Sequence, residues 1–150
     1  MRVVVSSDHA GFVIKDVVIE AVKKAGHEPI DLGTSSYDRV DFPDFAEKAG
    51  RAIINGAAER GIVICGSGVG VCITINKMKG IYAALISDIY SAHQGVEHDA
   101  MNVMCLGGKM VGPVLVQEMV HSFLNAEPLD IKRYQNRINK IKKIEEEFFK

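Results

Sequence analysis

Three short stretches of this sequence hold the side chains best suited to chemistry. Ser7-Asp8-His9-Ala10-Gly11 joins a carboxylate to an imidazole, Cys65-Gly66-Ser67-Gly68-Val69-Gly70 sets a thiol and a hydroxyl among alternating glycines, and Gly107-Gly108-Lys109 ends in an ammonium group. The middle stretch is the most informative. Its glycines let the backbone turn tightly and aim successive N–H groups at one point, which suits an anion. Cys65 stands immediately before those amides, where thiolate is favoured over thiol, so it could take a proton from carbon. The competing reading, a small buried apolar residue, is the commoner fate of cysteine and the one expected for Cys72 and Cys105. Asp8 could hold hydroxyl groups or merely cap the following helix, and His9 could meet phosphate or serve acid–base chemistry.

A second use of the glycine loop stays open at this point. A dinucleotide fingerprint needs a third glycine where Val71 stands, which weakens that reading. Asp88, about twenty residues on, nevertheless falls where a ribose-binding acid is expected.

The elements that must position these residues follow from periodicity. Apolar runs at Val3 to Ser6, Ile62 to Cys65, Ile81 to Ile86 and Val103 to Leu106 read as strands, and Glu28 to Leu32, with Pro29, reads as an edge strand. Phe12 to Ala25, Phe42 to Ile54, Val69 to Lys77, Asp88 to Val96 and Val114 to Leu124 carry apolar residues at helical spacing. Strands alternating with helices, with little polar alternation, predict a Rossmann-like three-layer α/β sandwich around a five-stranded parallel sheet. All three chemical stretches then sit beyond carboxyl ends of strands, where such sheets bind ligands.

His98-Asp99 precedes the last strand, so the topology sends it to the opposite, amino-terminal edge. If His98 serves a site at Cys65, it most simply comes from a neighbouring molecule. Otherwise it is an exposed turn histidine. An additional C-terminal helix carries a stripe at Ile131, Tyr134, Ile138, Ile141, Ile144 and Phe148, which either closes this domain's own core or packs on a partner. Arg133 and Arg137, one turn apart, could present two guanidinium groups to one phosphate or form a solvated face.

The 150 residues, 47% hydrophobic and 25% charged, fit one domain over 1–150. The 18 basic and 19 acidic side chains nearly cancel, which argues against nucleic acid or anionic membranes as partners. The first residues lead straight into Val3-Val4-Val5 and no apolar run approaches the length of a span, so an unexported protein is expected, and the odd set of three cysteines suits a reducing cytoplasm. His93 and His98 are five apart, and no metal spacing is evident.

Taken together, the three loop motifs, Glu97-His98-Asp99 with Asn102, and Arg133 with Arg137 resemble the type B ribose-5-phosphate isomerases and the related allose- and galactose-6-phosphate isomerases. The resemblance runs nearly end to end. It implies a metal-free, cofactor-free interconversion of ribose 5-phosphate and ribulose 5-phosphate through an enediolate. It also implies a homodimer with active sites shared between subunits, with a tetramer left open. By position, Cys65 is the implied base and His98 the ring-opening residue. Ser67 would contact the reacting hydroxyls, and Gly66, Ser67, Gly68, Val69 and Gly70 would form the anion hole. Asp8 and Asp99 would hold sugar oxygens, and His9, Lys109, Arg133 and Arg137 would bind phosphate. The sequence departs from the family pattern at four places: Val71 where some members use a Glu base, Asp99 for Asn, Lys109 for Arg, and Phe42 for Tyr. A six-carbon sugar phosphate is the alternative substrate, and a nucleotide-binding module the alternative of another class.

Overall fold

The computed structural model describes residues 1–149. In chain order the elements are β1 (Arg2–Ser7), α1 (Phe12–Lys24), β2 (Glu28–Asp31), α2 (Phe42–Ile54), β3 (Arg60–Cys65), α3 (Val69–Ile75), β4 (Ala83–Leu85), α4 (Ile89–Asp99), β5 (Val103–Gly107), α5 (Pro113–Asn125) and α6 (Lys132–Phe148). The five strands form one sheet in the order β2-β1-β3-β5-β4, with parallel pairing throughout.

The central strands β3 and β5 are buried along their whole length, so their Val and Ile runs face helices on both sides. On one face Val3, Val5, Ile62, Ile64, Met104 and Leu106 pack with α1, α4 and α5. On the other, Val4, Val63, Cys65, Val103 and Cys105 pack with α2 and α3. Pro29 sits in β2, opposite Val3 at the sheet edge, where a missing N–H leaves no broken ladder.

Of the boundaries that differ from those periodicity suggests, three have a local reason. The strand expected at Ile81 to Ile86 shrinks to Ala83–Leu85, because side chains take the preceding backbone groups. The Asn102 carbonyl oxygen accepts from Tyr82 N–H at 2.8 Å, and the Asn76 amide brackets Ala83, accepting from its N–H at 2.9 Å and donating to its carbonyl at 2.8 Å. The same Asn76 ends α3 early, standing as its C-cap. By contrast α4 runs three residues past Val96 and stops at Ala100, which adopts a left-handed φ of 57°. His98 therefore sits on a helix rather than in a turn.

Of the α6 stripe, Tyr134 alone is buried, against α4, while Ile144 and Phe148 stay 60% and 72% exposed. The helix is also tied down by Glu145, which accepts from Gly80 N–H and from the Tyr82 hydroxyl, both at 2.6 Å. Burial and this acceptor push the Tyr82 phenol up to about 12. Burial opposes the charge on Glu145, but the two donors hold its carboxyl below the usual range.

Candidate active site

The loops after β1, β3 and β5 meet at one end of the sheet because their backbones bond to one another. Asp8 N–H donates to Ile64 O at 3.2 Å, Gly108 N–H to Cys65 O at 2.8 Å, and Lys109 N–H to Gly66 O at 3.0 Å. Gly11 has to be glycine: a Cβ there would lie 2.6 Å from the Ile64 carbonyl oxygen. Gly68 has two reasons, a φ of +82° and a Cβ position 2.8 Å from the Leu106 backbone.

Within this frame Cys65 is buried, 5% exposed, at the last position of β3. Gly68 N–H donates to its sulfur at 3.1 Å, so the sulfur is already an acceptor. Ser67 is exposed beside it, its hydroxyl oxygen accepting from Val69 N–H at 3.3 Å. The Gly68 and Val69 amides are thus occupied inside the loop. Val71 is fully buried in the core, so nothing at that position could stand in as a base.

Asp8 shapes the turn before α1 without capping the helix, whose N-cap is Gly11. One carboxylate oxygen, Oδ1, accepts from Ala10 N–H and Gly11 N–H, each at 2.9 Å, and so shapes the turn into α1. The other oxygen is outside that pair of bonds. His9 is oriented by a residue no motif pointed to: Val40 N–H donates to His9 Nδ1 at 3.2 Å. A backbone N–H can only donate, so Nδ1 bears the lone pair and Nε2 the proton. Lys109 is exposed, and its stem runs past Gly66, where a Cβ would be 3.7 Å from Lys109 Cδ. Phe42 lies with its ring against Gly70.

The segment carrying Val40 is itself held by Lys15, which sequence reasoning missed. Lys15 is 4% exposed; its ammonium donates to Thr34 O at 2.6 Å and pairs with Asp31 at 2.9 Å. A signal existed, since Lys15 falls on the buried stripe of α1 with Val18 and Val22, and a lysine there needs partners.

The other candidates assemble elsewhere. Cys65 is in register with Gly107, at the end of β5, and Gly61 with Val103, at its start. Four strand steps, roughly 13 Å, separate these ends, and His98 lies beyond the start. There its ring stacks on Tyr134, centroids 4.1 Å apart and 21° between planes. Tyr134 accepts from Arg133 Nη2 at 3.1 Å and lies under the Arg133 guanidinium, 4.6 Å from its centroid. Asp99 is exposed beside His98, and Arg137 one turn along α6 from Arg133. The predicted residues therefore form two half-sites at opposite ends of one subunit. Tyr134 and Gln94, which donates to His98 Nδ1 at 3.0 Å, are members that the sequence reading passed over.

Asp88 is accounted for without a nucleotide. It is the N-cap of α4, and its carboxylate accepts from Ser91 N–H at 2.6 Å, which together with the Ser91 side chain holds its carboxyl below the usual range. The expectation for Cys72 needs correcting. It is only half-buried, and a hydrogen bond with Cys105 brings its thiol down to about 7, with the Leu85 backbone and Asn76 assisting against burial. Cys105 matches its expectation: it is fully buried, with its thiol raised by the bond to Cys72 and by that burial. Among the described residues, no three His, Cys, Asp or Glu side chains could hold a metal ion, and no helix is long and apolar enough to cross a membrane.

Comparison with known proteins agrees with this geometry. Residues 3–141 match the family described as Ribose/Galactose Isomerase. Ribose-5-phosphate isomerase B of Escherichia coli is 36% identical over 145 residues, 97% of each chain. The structure of ribose-5-phosphate isomerase B from Clostridium thermocellum superposes with a TM-score of 0.93 at 39% identity, covering 99% of both chains. That of the Mycoplasma genitalium enzyme with bound ribulose-5-phosphate gives a TM-score of 0.89 at 36% identity over 97% of both. With its sheet order, its loop thiol and this end-to-end similarity, the chain belongs to the ribose/galactose isomerase family of aldose–ketose sugar-phosphate isomerases.

Proposed function

We propose that this chain interconverts ribose 5-phosphate and ribulose 5-phosphate, with Cys65 as the base and with each active site built from both half-sites, one from each of two subunits. The observation that carries the reading is the junction of the three loops at one strand end around the Cys65 sulfur. The single domain spans 1–150, and its three unpaired thiols suit a reducing cytoplasm.

The reaction begins with opening of the furanose ring. The C1–O4 bond breaks as a proton leaves the anomeric hydroxyl and another reaches the ring oxygen, the task given to His98. The Cys65 thiolate then takes the proton from C2, and the electron pair moves through C1=C2 onto O1, giving an enediolate. Ser67 and the loop amides not already engaged meet the oxyanion. A proton passes from O2 to O1, the Cys65 thiol returns its proton to C1, and the ketose results. Asp8 Oδ2 and Asp99 hold sugar hydroxyls. His9 Nε2–H, Lys109, Arg133 and Arg137 supply donors for the phosphate.

The shared site is supported by two features. One subunit keeps His98, Arg133 and Arg137 at the wrong end to reach its own Cys65. The α6 stripe at Ile141, Ile144 and Phe148 remains exposed, as does the outer face of α3 at Val69 and Ile73, next to the Cys65 loop. A two-fold dimer that covers both patches brings one subunit's half-site to the other's.

Aldose-to-ketose conversion of ribose 5-phosphate, followed for the wild type and for Cys65→Ala, tests the base. A loss of about 10²–10⁴ in kcat is expected, and equal rates would remove Cys65 from the mechanism.

A further inference from the structure

The half-site on α4 contains a group to which none of the readings above gives a chemical task. Gln94 is one turn before His98, and its side-chain amide bridges two partners: Nε2 lies 3.0 Å from His98 Nδ1 and 3.4 Å from Asp99 Oδ2. The orientation of such an amide has to be argued from its neighbours. Asp99 decides it, because a carboxylate only accepts hydrogen bonds, so the end of the amide facing it must be the NH₂. The same nitrogen then faces His98 Nδ1, which can only be accepting.

We infer that Gln94 is a positioning residue for the ring-opening step, fixing His98 as the neutral tautomer that carries its proton on Nε2. This rests on the reading of His98 as the ring-opening residue. The consequence is chemical rather than steric: Nδ1 is occupied as an acceptor, and the free edge of the imidazole presents an N–H. That N–H can hand its proton to the ring oxygen as the C1–O4 bond breaks, and the same nitrogen takes up the proton that leaves the anomeric hydroxyl, so the imidazole ends the step neutral. Tyr134 stacks on the flat face of the ring, and among the described residues the hydrogen bond of the imidazole is made at Nδ1 rather than Nε2. Beside the imidazole stand Asp99 on its own helix, which shares the Gln94 amide, and on α6 Tyr134, which carries Arg133 over its ring. Asp99, drawn to the same amide, is thereby kept beside His98 without bonding to Nδ1 itself, where it would demand the opposite tautomer.

The test uses the ¹⁵N resonances of the His98 imidazole, assigned by loss in His98→Ala, together with rates in both directions. The wild type is expected to show a protonated Nε2 and an unprotonated Nδ1. Gln94→Leu should give a mixture of tautomers, and Gln94→Glu, which accepts where glutamine donates, should move the proton to Nδ1. Both variants should slow turnover of ring-closed ribose 5-phosphate by about tenfold or more. They should slow the initial rate from ribulose 5-phosphate less, because that ketose has no free O5 to close a furanose ring. A wild-type His98 protonated at Nδ1, or a Gln94→Leu variant with unchanged tautomer and unchanged aldose rate, overturns the assignment. Failure of the isomerase reading looks different: the wild type would turn over neither sugar, while the tautomer is still read.

Discussion

At the residue scale, Cys65 and Cys72 differ in what surrounds them. Cys65 is closed in by a backbone N–H and the loop, whereas Cys72 stands at the edge of the core with Cys105 lowering its thiol to about 7. Thiolate is the species that alkylates. Iodoacetamide labelling of Cys72, followed by peptide mass spectrometry, should therefore rise to half its plateau near pH 7, well below the ordinary thiol range. A midpoint near pH 9 would show that the Cys105 bond is not made in solution. The glycines are as specific as the thiols. Gly11→Ala places a methyl group against the Ile64 carbonyl and should cost about 1–3 kcal/mol in denaturant unfolding, with loss of turnover because Asp8 and the Cys65 loop move apart.

At the element scale, α6 is the marginal member. It has one buried anchor, Tyr134, and a polar latch at Glu145 that joins it to Gly80 and Tyr82. Removing the charge with Glu145→Gln should destabilise the helix by roughly 1 kcal/mol, seen as faster amide exchange in α6 with the sheet unchanged. The pH dependence has a definite sign. The Glu145 carboxyl is held below its unfolded value of 4.5, so its contribution is complete above that pH and is lost as the pH falls through the lower folded value. The difference between wild type and Glu145→Gln should shrink on acidification below about pH 4.5 and be constant at neutral pH. A difference that grows on acidification would contradict the latch. The short strand β4 teaches a related lesson. Tyr82 has a strand-like side chain, but the Asn102 side chain takes its backbone N–H, and Asn76 holds Ala83 at the start of the strand.

At the scale of the whole molecule, the proposed shared site joins candidate residues from two ends of the sheet and so makes association part of the proposed activity. Cys65→Ala and His98→Ala proteins should each be inactive, and mixing them under conditions of subunit exchange should restore about a quarter of wild-type activity per subunit pair. This follows from random dimer assortment, in which half the dimers are mixed and each carries one intact site. No recovery despite exchange shown by mass spectrometry would count against shared sites. Dilution should also lower specific activity once dimers dissociate.

Much of this was legible in the sequence. Strand and helix periods reach the right elements because an α/β sheet buried on both faces writes its pattern into every strand, and the thiol-glycine loop is recognisable because its backbone turn admits few other residues. Even the separation of His98 from Cys65 follows from chain order alone. Contacts between distant side chains have no such local signature. That Val40 sets the tautomer of His9, that buried Lys15 holds the segment bearing Val40, that Tyr134 covers His98 and that Gln94 faces its Nδ1 depends on where separate elements come to rest. Residue type and spacing determined the chemistry on offer. Tertiary packing decided which nitrogen of His9 keeps the proton, because a hydrogen-bond partner is chosen by position in space.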